Sequence, residues 1–163
     1  MAVQQLGNDR TTVYRQGLEI VFERVFDAPR DLVWTVMTDP ERIPHWWGPH
    51  GYTTTVVEMD VRPGGRWRFV VHTTAGEDVA FTGEYLEVVP PERIVRTFTL
   101  DIPGVDAKPG REVMTLEDLG NRTKLVEKSL FESTEELENQ ISVGMVGGAL
   151  EMYDRLADEI AKR

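Results

Sequence analysis

Val25-Phe26-Asp27-Ala28-Pro29-Arg30-Asp31-Leu32-Val33-Trp34, followed by Thr38-Asp39-Pro40, Trp46-Trp47-Gly48-Pro49 and Arg62-Pro63-Gly64-Gly65-Arg66-Trp67-Arg68-Phe69, is the stretch whose order decides the fold. Val25 and Phe26 close an extended run. Asp27-Ala28-Pro29 opens a short helix, with Asp27 as the expected N-cap and Pro29 suited to the first turn. Thr38-Asp39-Pro40 repeats that stop-and-start one helix later, and Trp46-Trp47-Gly48-Pro49 ends the pair with two large apolar side chains and a turn. Arg62-Pro63-Gly64-Gly65-Arg66 is a tight turn feeding a strongly β-forming run from Trp67 to Val71.

Outward from this core, Leu18–Phe26 alternates as a strand, with Leu18, Ile20, Phe22 and Arg24 on one side. Thr11–Tyr14 would extend it backwards, interrupted by Gly17. Helices are expected at about 30–38 and 41–46. Strands follow at about 53–61, 66–74, 79–89, 93–101, 111–119 and 122–131, joined by turn-rich connectors such as Pro90-Pro91-Glu92 and Gly120-Asn121. Residues 103–110 form the longest irregular connection. Ser133-Thr134-Glu135-Glu136 is a capping box. It opens a helix expected to run to about Ala161, roughly 40 Å at 1.5 Å per residue. Its apolar stripe is Leu137, Ile141, Met145, Gly148, Met152 and Leu156, widened by Val143, Val146, Leu150 and Tyr153. Short connections favour antiparallel neighbours, so the fold class is α+β: a curved sheet with one long helix across its concave face. Residues 1–10 read as a mobile arm and 11–163 as a single domain.

The order of these motifs resembles the bacterial relatives of the activator of the ninety-kilodalton heat-shock chaperone ATPase, within the START-like (SRPBCC) superfamily of helix-grip folds. The resemblance runs from about Leu18 to the C-terminus. It implies a cavity between the sheet and the C-terminal helix, and so a binding role for a small hydrophobic or amphipathic molecule such as a lipid, polyketide or aromatic metabolite. Similar folds also host cyclases, aromatases and hydrolases. The family name implies a third role, contact with a chaperone. The eukaryotic activators it resembles carry an additional N-terminal domain for which these residues leave no room, so a strong chaperone effect is not expected.

Composition narrows the choice. The 163 residues carry 28 acidic against 18 basic side chains, a formal charge of −10, and no cysteine. Phosphate backbones and anionic lipid surfaces repel such a chain, so no nucleic-acid partner is expected. Arg62, Arg66 and Arg68, beside Glu58 and Asp60, read as a solvated strand face. Disulfides and thiolate chemistry are excluded. No run reaches the ~20 apolar residues of a membrane span and no signal core opens the chain, so membrane insertion is not expected and a cytoplasmic location follows. Dimerisation through a sheet edge or the Trp46–Pro49 corner is compatible with the pattern, but no residue demands it.

Catalytic motifs do not stand out. None of Ser129, Ser133 and Ser142 sits in G-x-S-x-G, and there is no P-loop, no G-x-G-x-x-G and no H-E-x-x-H. His45 and His50 lack a third ligand of the usual spacing and His72 lies near a strand end, so neither a metal nor a cofactor is expected.

The candidate lining shares the inward parity of the strands: Trp67, Phe69 and Val71; Phe81 and Tyr85; Arg96 and Phe98; Met114 and Leu116; with Met145 and Met152 from the helix. Trp46 and Trp47 have two readings, core plug or pocket wall. Arg96 lies on the same face as Ile94, Phe98 and Leu100. If that face is concave, a guanidinium points into apolar space and needs water, an anionic ligand group or an internal carboxylate such as Glu84 or Glu127. Over 122–131, Leu125 and Val126 compete to face inward, which decides where Glu127 points. Gly144 and Gly148 either permit close helix packing or open the cavity at its midpoint.

Overall fold

The computed structural model describes residues 4–101, Gly104, 108–142 and 144–162. Its strands are β1 (Gln4–Gln5), β2 (Thr12–Gln16), β3 (Glu19–Phe26), β4 (Thr53–Met59), β5 (Arg66–His72), β6 (Asp78–Val89), β7 (Arg93–Asp101), β8 (Gly110–Asp118) and β9 (Thr123–Leu130). They form one sheet in the order β1-β2-β3-β9-β8-β7-β6-β5-β4, with every neighbouring pair antiparallel. Helices α1 (Arg30–Thr38) and α2 (Ile43–Trp46) carry the chain from β3 to the far edge at β4, and α3 (Thr134–Ser142) and α4 (Met145–Ala161) follow β9. This is the expected α+β helix-grip architecture. Register shifts at Val56/Glu58 and Tyr85/Glu87 mark irregularities in β4 and β6, the local devices that bend a strand. No helix among the described residues is long and apolar enough to cross a membrane.

The core lies between the sheet and the helices. It joins Val13, Ile20, Phe22 and Phe26 to Val33 and Val36 of α1, Ile43 and Trp46 of α2, Trp67, Phe69 and Val71 of β5, and Leu156 and Ile160 of α4. Trp67 can lie flat in this layer because the residue facing it across β6 is Gly83. A Cβ there would stand 1.9 Å from the Thr97 carbonyl oxygen and 2.6 Å from Trp67 Nε1. The Trp67 indole instead donates to Thr97 O at 3.1 Å.

Four local expectations need correction. Asp27 does not cap α1: Pro29 holds the N-cap position, with no side-chain cap. The second helix is shorter than expected, because Asp39 folds the preceding residues into a turn, accepting from Glu41 N–H at 2.9 Å through its carboxylate and from Arg42 and Ile43 through its carbonyl. Residues 11–14 do not extend the first strand. Gly17 (φ +60°) turns the chain back, so β2 lies beside β3 with Thr12 opposite Glu23. Finally, the C-terminal helix is two helices. Ser133 Oγ accepts from Glu136 N–H at 3.1 Å as the capping motif requires, but Gly144 sits at φ +89°, ψ 23°, a left-handed conformation that stops the helix and starts α4.

The expected arm at residues 1–10 falls partly outside the described residues. Within them, Gln4 and Gln5 pair with Arg15 and Tyr14, and Leu6 packs against the core. Val143 and half of the 103–110 connection (residues 103 and 105–107) also lie outside the described residues.

Candidate functional site

Cross-strand register assembles a buried polar row on the inner face of the sheet. Tyr85 of β6 lies opposite Arg96 of β7, Arg96 opposite Glu112 of β8, and Glu112 opposite Ser129 of β9. One step along, Met114 faces Glu127, which in turn faces Phe22 of β3. Tyr153 comes down from α4, donates its hydroxyl to Glu127 Oε2, and packs its ring 5.7 Å from Phe22. Tyr85, Arg96, Glu112, Glu127, Ser129 and Tyr153 are all buried.

The charges in this row largely answer one another. Arg96 sits 3.5 Å from Glu112 and lays its guanidinium over Trp67 (4.1 Å to the ring centre) and Trp47 (5.5 Å). Burial works against the Arg96 charge, but Glu112 and then Tyr85 and Glu127 outweigh it and hold the pKa above the ordinary value. Burial pushes the Glu127 carboxyl well above the ordinary 4.5, and repulsion from Glu112 adds to the effect. Glu127 therefore holds its proton more tightly than a solvated carboxyl. Burial, and then the Glu127 charge, likewise pushes the Tyr153 phenol well above 10. Burial also raises Tyr85, with Arg96 pulling the other way.

Two neighbouring hollows adjoin this row. An inner chamber of about 40 Å³ is lined by Tyr85, Arg96, Glu112, Met114, Glu127 and Tyr153, together with Met37, Thr38, Ile43, Trp46, Trp47, Met59, Ile94 and Met152. An outer cavity of about 320 Å³ opens beyond it under α4. Its walls include Phe22, Trp47, Pro49, Tyr52, Val71, Phe81, Phe98, Met145, Ala149 and Met152. The two share Trp47, Glu112, Glu127, Met152 and Tyr153.

Of the residues singled out from sequence, Trp46, Trp47, Val71, Phe81, Tyr85, Arg96, Phe98, Met114, Met145 and Met152 border one or both hollows. Trp67, Phe69 and Leu116 do not. They share the inward face but are buried in the core, the two aromatics directly behind Trp47 at 5.9 and 4.9 Å between ring centres. Both Trp46 and Trp47 are buried. Trp46 donates Nε1 to Val36 O at 3.2 Å, and Trp47 forms the wall that separates the core aromatics from the cavity.

Arg96 does point inward, but its ion-pair partner is Glu112 and not Glu84, which is exposed. Glu127 contributes charge as a second carboxyl. Leu125 wins the inward position in β9, which turns Glu127 and Ser129 in as well. Gly144 and Gly148 both line the outer cavity, and no atom would come within 4 Å of a Cβ at Gly144, so close packing is not its role.

Sequence reasoning missed Glu112, Tyr153 as a polar group, and Arg155. Glu112 had a signal: it shares the parity of Met114 and Leu116. Arg155 of α4 donates to the carbonyls of Trp47, Gly48 and Pro49 at 2.9–3.2 Å and of His45 at 3.1 Å, fastening the Trp46–Pro49 corner onto the helix. Nothing local marks it, because its acceptors lie more than a hundred residues earlier.

The family model described as activator of Hsp90 ATPase homolog 1-like protein matches residues 27–161, and the chain belongs to that family. A solution structure from Arthrobacter aurescens superposes with a TM-score of 0.86 at 21% identity, covering 93% of this chain and 91% of that one. A crystal structure from Rhodobacter sphaeroides gives 0.85 at 22% identity, covering 95% and 100%. One from Chromobacterium violaceum gives 0.71 at 28% identity, covering 86% and 95%. No curated protein matches the chain.

Proposed function

We propose that this chain binds a small molecule with an apolar body and one polar group in the space between the sheet and α4. The observation that carries the reading is a juxtaposition. An apolar-walled cavity of about 320 Å³ reaches Glu112, Glu127 and Tyr153 of the buried polar row, and the smaller chamber beside it reaches Tyr85 and Arg96. Ligand sites are typically apolar concavities with a few converging polar groups. Burial of the body contributes roughly 25 cal/mol per Å² of apolar surface before the costs of association, and the polar row selects. A lipid, a polyketide or an aromatic metabolite has this build.

Ethylnaphthalene, an apolar probe without a polar group, tests the cavity alone. Saturable one-to-one binding, followed through tryptophan fluorescence because Trp47 forms the wall, is expected for the wild type. Ala149→Trp places an indole in the outer cavity and abolishes it. Equal binding by both proteins would place the probe elsewhere and remove the reading.

One observation favours a second reading, in which the same space is an active site. Glu127, whose pKa burial and Glu112 raise well above the ordinary 4.5, is a carboxyl group beside a cavity, the arrangement that suits general-acid work or the polarising of a carbonyl. Deuterium uptake into the methyl group of bound acetonaphthone, accelerated by the protein and lost in Glu127→Gln, would carry this reading. No acceleration removes it.

A further inference from the structure

The polar row is not fully self-satisfied, and what it leaves over has a chemical sign. Among the described residues, two buried side-chain atoms lack a hydrogen-bond partner: the Tyr85 hydroxyl and Arg96 Nε. Arg96 Nε–H can only donate, and a phenol hydroxyl donates well. Both side chains line the inner chamber and stand directly opposite one another on β6 and β7. At such cross-strand positions the Cβ atoms lie about 4.5–5.5 Å apart, close enough for both groups to reach one atom between them. Glu112 lies beside the far nitrogen of Arg96 and Glu127 takes the Tyr153 hydroxyl, and neither carboxyl accepts from the Tyr85 hydroxyl or from Arg96 Nε. The unmet demand is therefore for an acceptor.

Charge decides which acceptor. The Arg96 cation is already answered by Glu112 at 3.5 Å, sits over two indole faces, and has a second carboxyl in Glu127 nearby. A ligand carboxylate would enter a low-dielectric space holding two carboxyl groups against one guanidinium, while an ammonium would be set beside that guanidinium. A neutral oxygen meets neither penalty. Size agrees: about 40 Å³ is too little for a ring but takes one oxygen atom, whereas about 320 Å³ next to it takes a ring system.

We propose that the inner chamber is a subsite for the carbonyl oxygen of a neutral ketone- or ester-type ligand, which accepts from the Tyr85 hydroxyl and Arg96 Nε while its apolar body fills the outer cavity. This rests on the cavity reading above and narrows the ligand to uncharged carbonyl compounds. Arg96 and Tyr85 are then the specificity-determining residues, and Glu112 positions Arg96.

A matched series separates the two levels: acetonaphthone, ethylnaphthalene and naphthoate, titrated calorimetrically into wild type and Tyr85→Phe. Tyr85→Phe removes only a hydroxyl without a partner, so the fold is expected to persist, and its circular dichroism and Tm verify that. The expected result is that wild type binds acetonaphthone at least tenfold more tightly than ethylnaphthalene, a difference of about 1.4 kcal/mol. Naphthoate is expected to bind more weakly than the ketone. In Tyr85→Phe the ketone's advantage shrinks several-fold while ethylnaphthalene affinity is unchanged. The carbonyl carbon of labelled acetonaphthone is expected to move downfield on binding wild type, and less on binding the variant, a signature that general packing would not produce.

Equal affinity for ketone and hydrocarbon would overturn the carbonyl subsite, its donors then being met by a resident water, while leaving the cavity reading intact. Naphthoate binding most tightly would overturn it in favour of an anion site. Failure of all three probes to bind would remove the cavity reading and the subsite together.

Discussion

The two halves of α4 do different work. From Tyr153 onward the helix is seated: Tyr153, Leu156, Glu159 and Ile160 are buried, Arg42 reaches Glu159 at 3.0 Å, and Arg24 reaches Asp154 at 2.6 Å. From Met145 to Met152 no residue is buried, although the helix passes over the same sheet. Met145, Gly148, Ala149 and Met152 border the outer cavity, and the apolar contacts of this half leave its side chains only partly buried. One continuous helix is therefore anchor at one end and roof at the other. Holding a roof above a hollow requires the anchor to contribute most of the attachment, and the ion pairs and core contacts are distributed accordingly.

Truncations should separate the halves most strongly. Leu156→Ala removes a fully buried side chain and should cost about 2–5 kcal/mol in denaturant unfolding, against about 1 kcal/mol or less for Met145→Ala. Comparable losses at the two positions would erase the distinction between anchor and roof.

The join between them carries the next effect, through pH. Glu127 sits beneath the junction, bonded to Tyr153, and its pKa is raised on folding. The folded state then binds the proton more tightly than the unfolded chain. This contribution to stability is full below the unfolded value near 4.5 and is lost as pH rises through the folded value. Glu127→Gln cannot ionise, so its stability should fall less steeply than that of wild type as pH is raised from about 4.5. Parallel pH profiles for the two proteins would contradict the assignment.

Arg155 lies in the anchor but holds the cavity rim. Arg155→Leu should cost about 1–2 kcal/mol, discounted for its partial exposure, because the carbonyls of Trp47, Gly48, Pro49 and His45 all lose the Arg155 donor. Amide exchange should quicken at residues 47–52 more than in the Tyr153–Ile160 turns. The smallest effects are two of opposite sign in the roof. Gly147→Ala, with open space at its Cβ, should stabilise by about 0.5–1 kcal/mol. Gly144→Ala, also in open space but at φ +89°, should destabilise by about 1–2 kcal/mol. Thermal unfolding of the pair tests whether the break before α4 is built into the backbone.

The anchor was more legible in sequence than the roof. Leu156 repeats the apolar stripe of Leu137, Ile141 and Met152, and a stripe is what periodicity detects. The break at Gly144 was read as glycines within one helix, because propensity measures only a cost and does not say that one glycine has left helical space. On the sheet, two-residue alternation gave the inward face correctly for Trp67, Tyr85, Arg96 and Met114. It could not give depth, so Trp67, Phe69 and Leu116 were grouped with the cavity wall although they lie in the core. Glu112 was overlooked because a charged residue in an alternating strand is ordinarily turned to solvent. Here its register opposite Arg96 makes the inward position tolerable.

The most direct test of a ligand cavity between sheet and helix is methyl NMR of the protein labelled at its methionines, titrated with acetonaphthone. Met37, Met59 and Met114 line the inner chamber, Met145 the outer cavity, and Met152 both. Saturable shifts at Met114, Met145 and Met152 are the expected result. Methyl signals that all stay in place up to the solubility of the probe would contradict it.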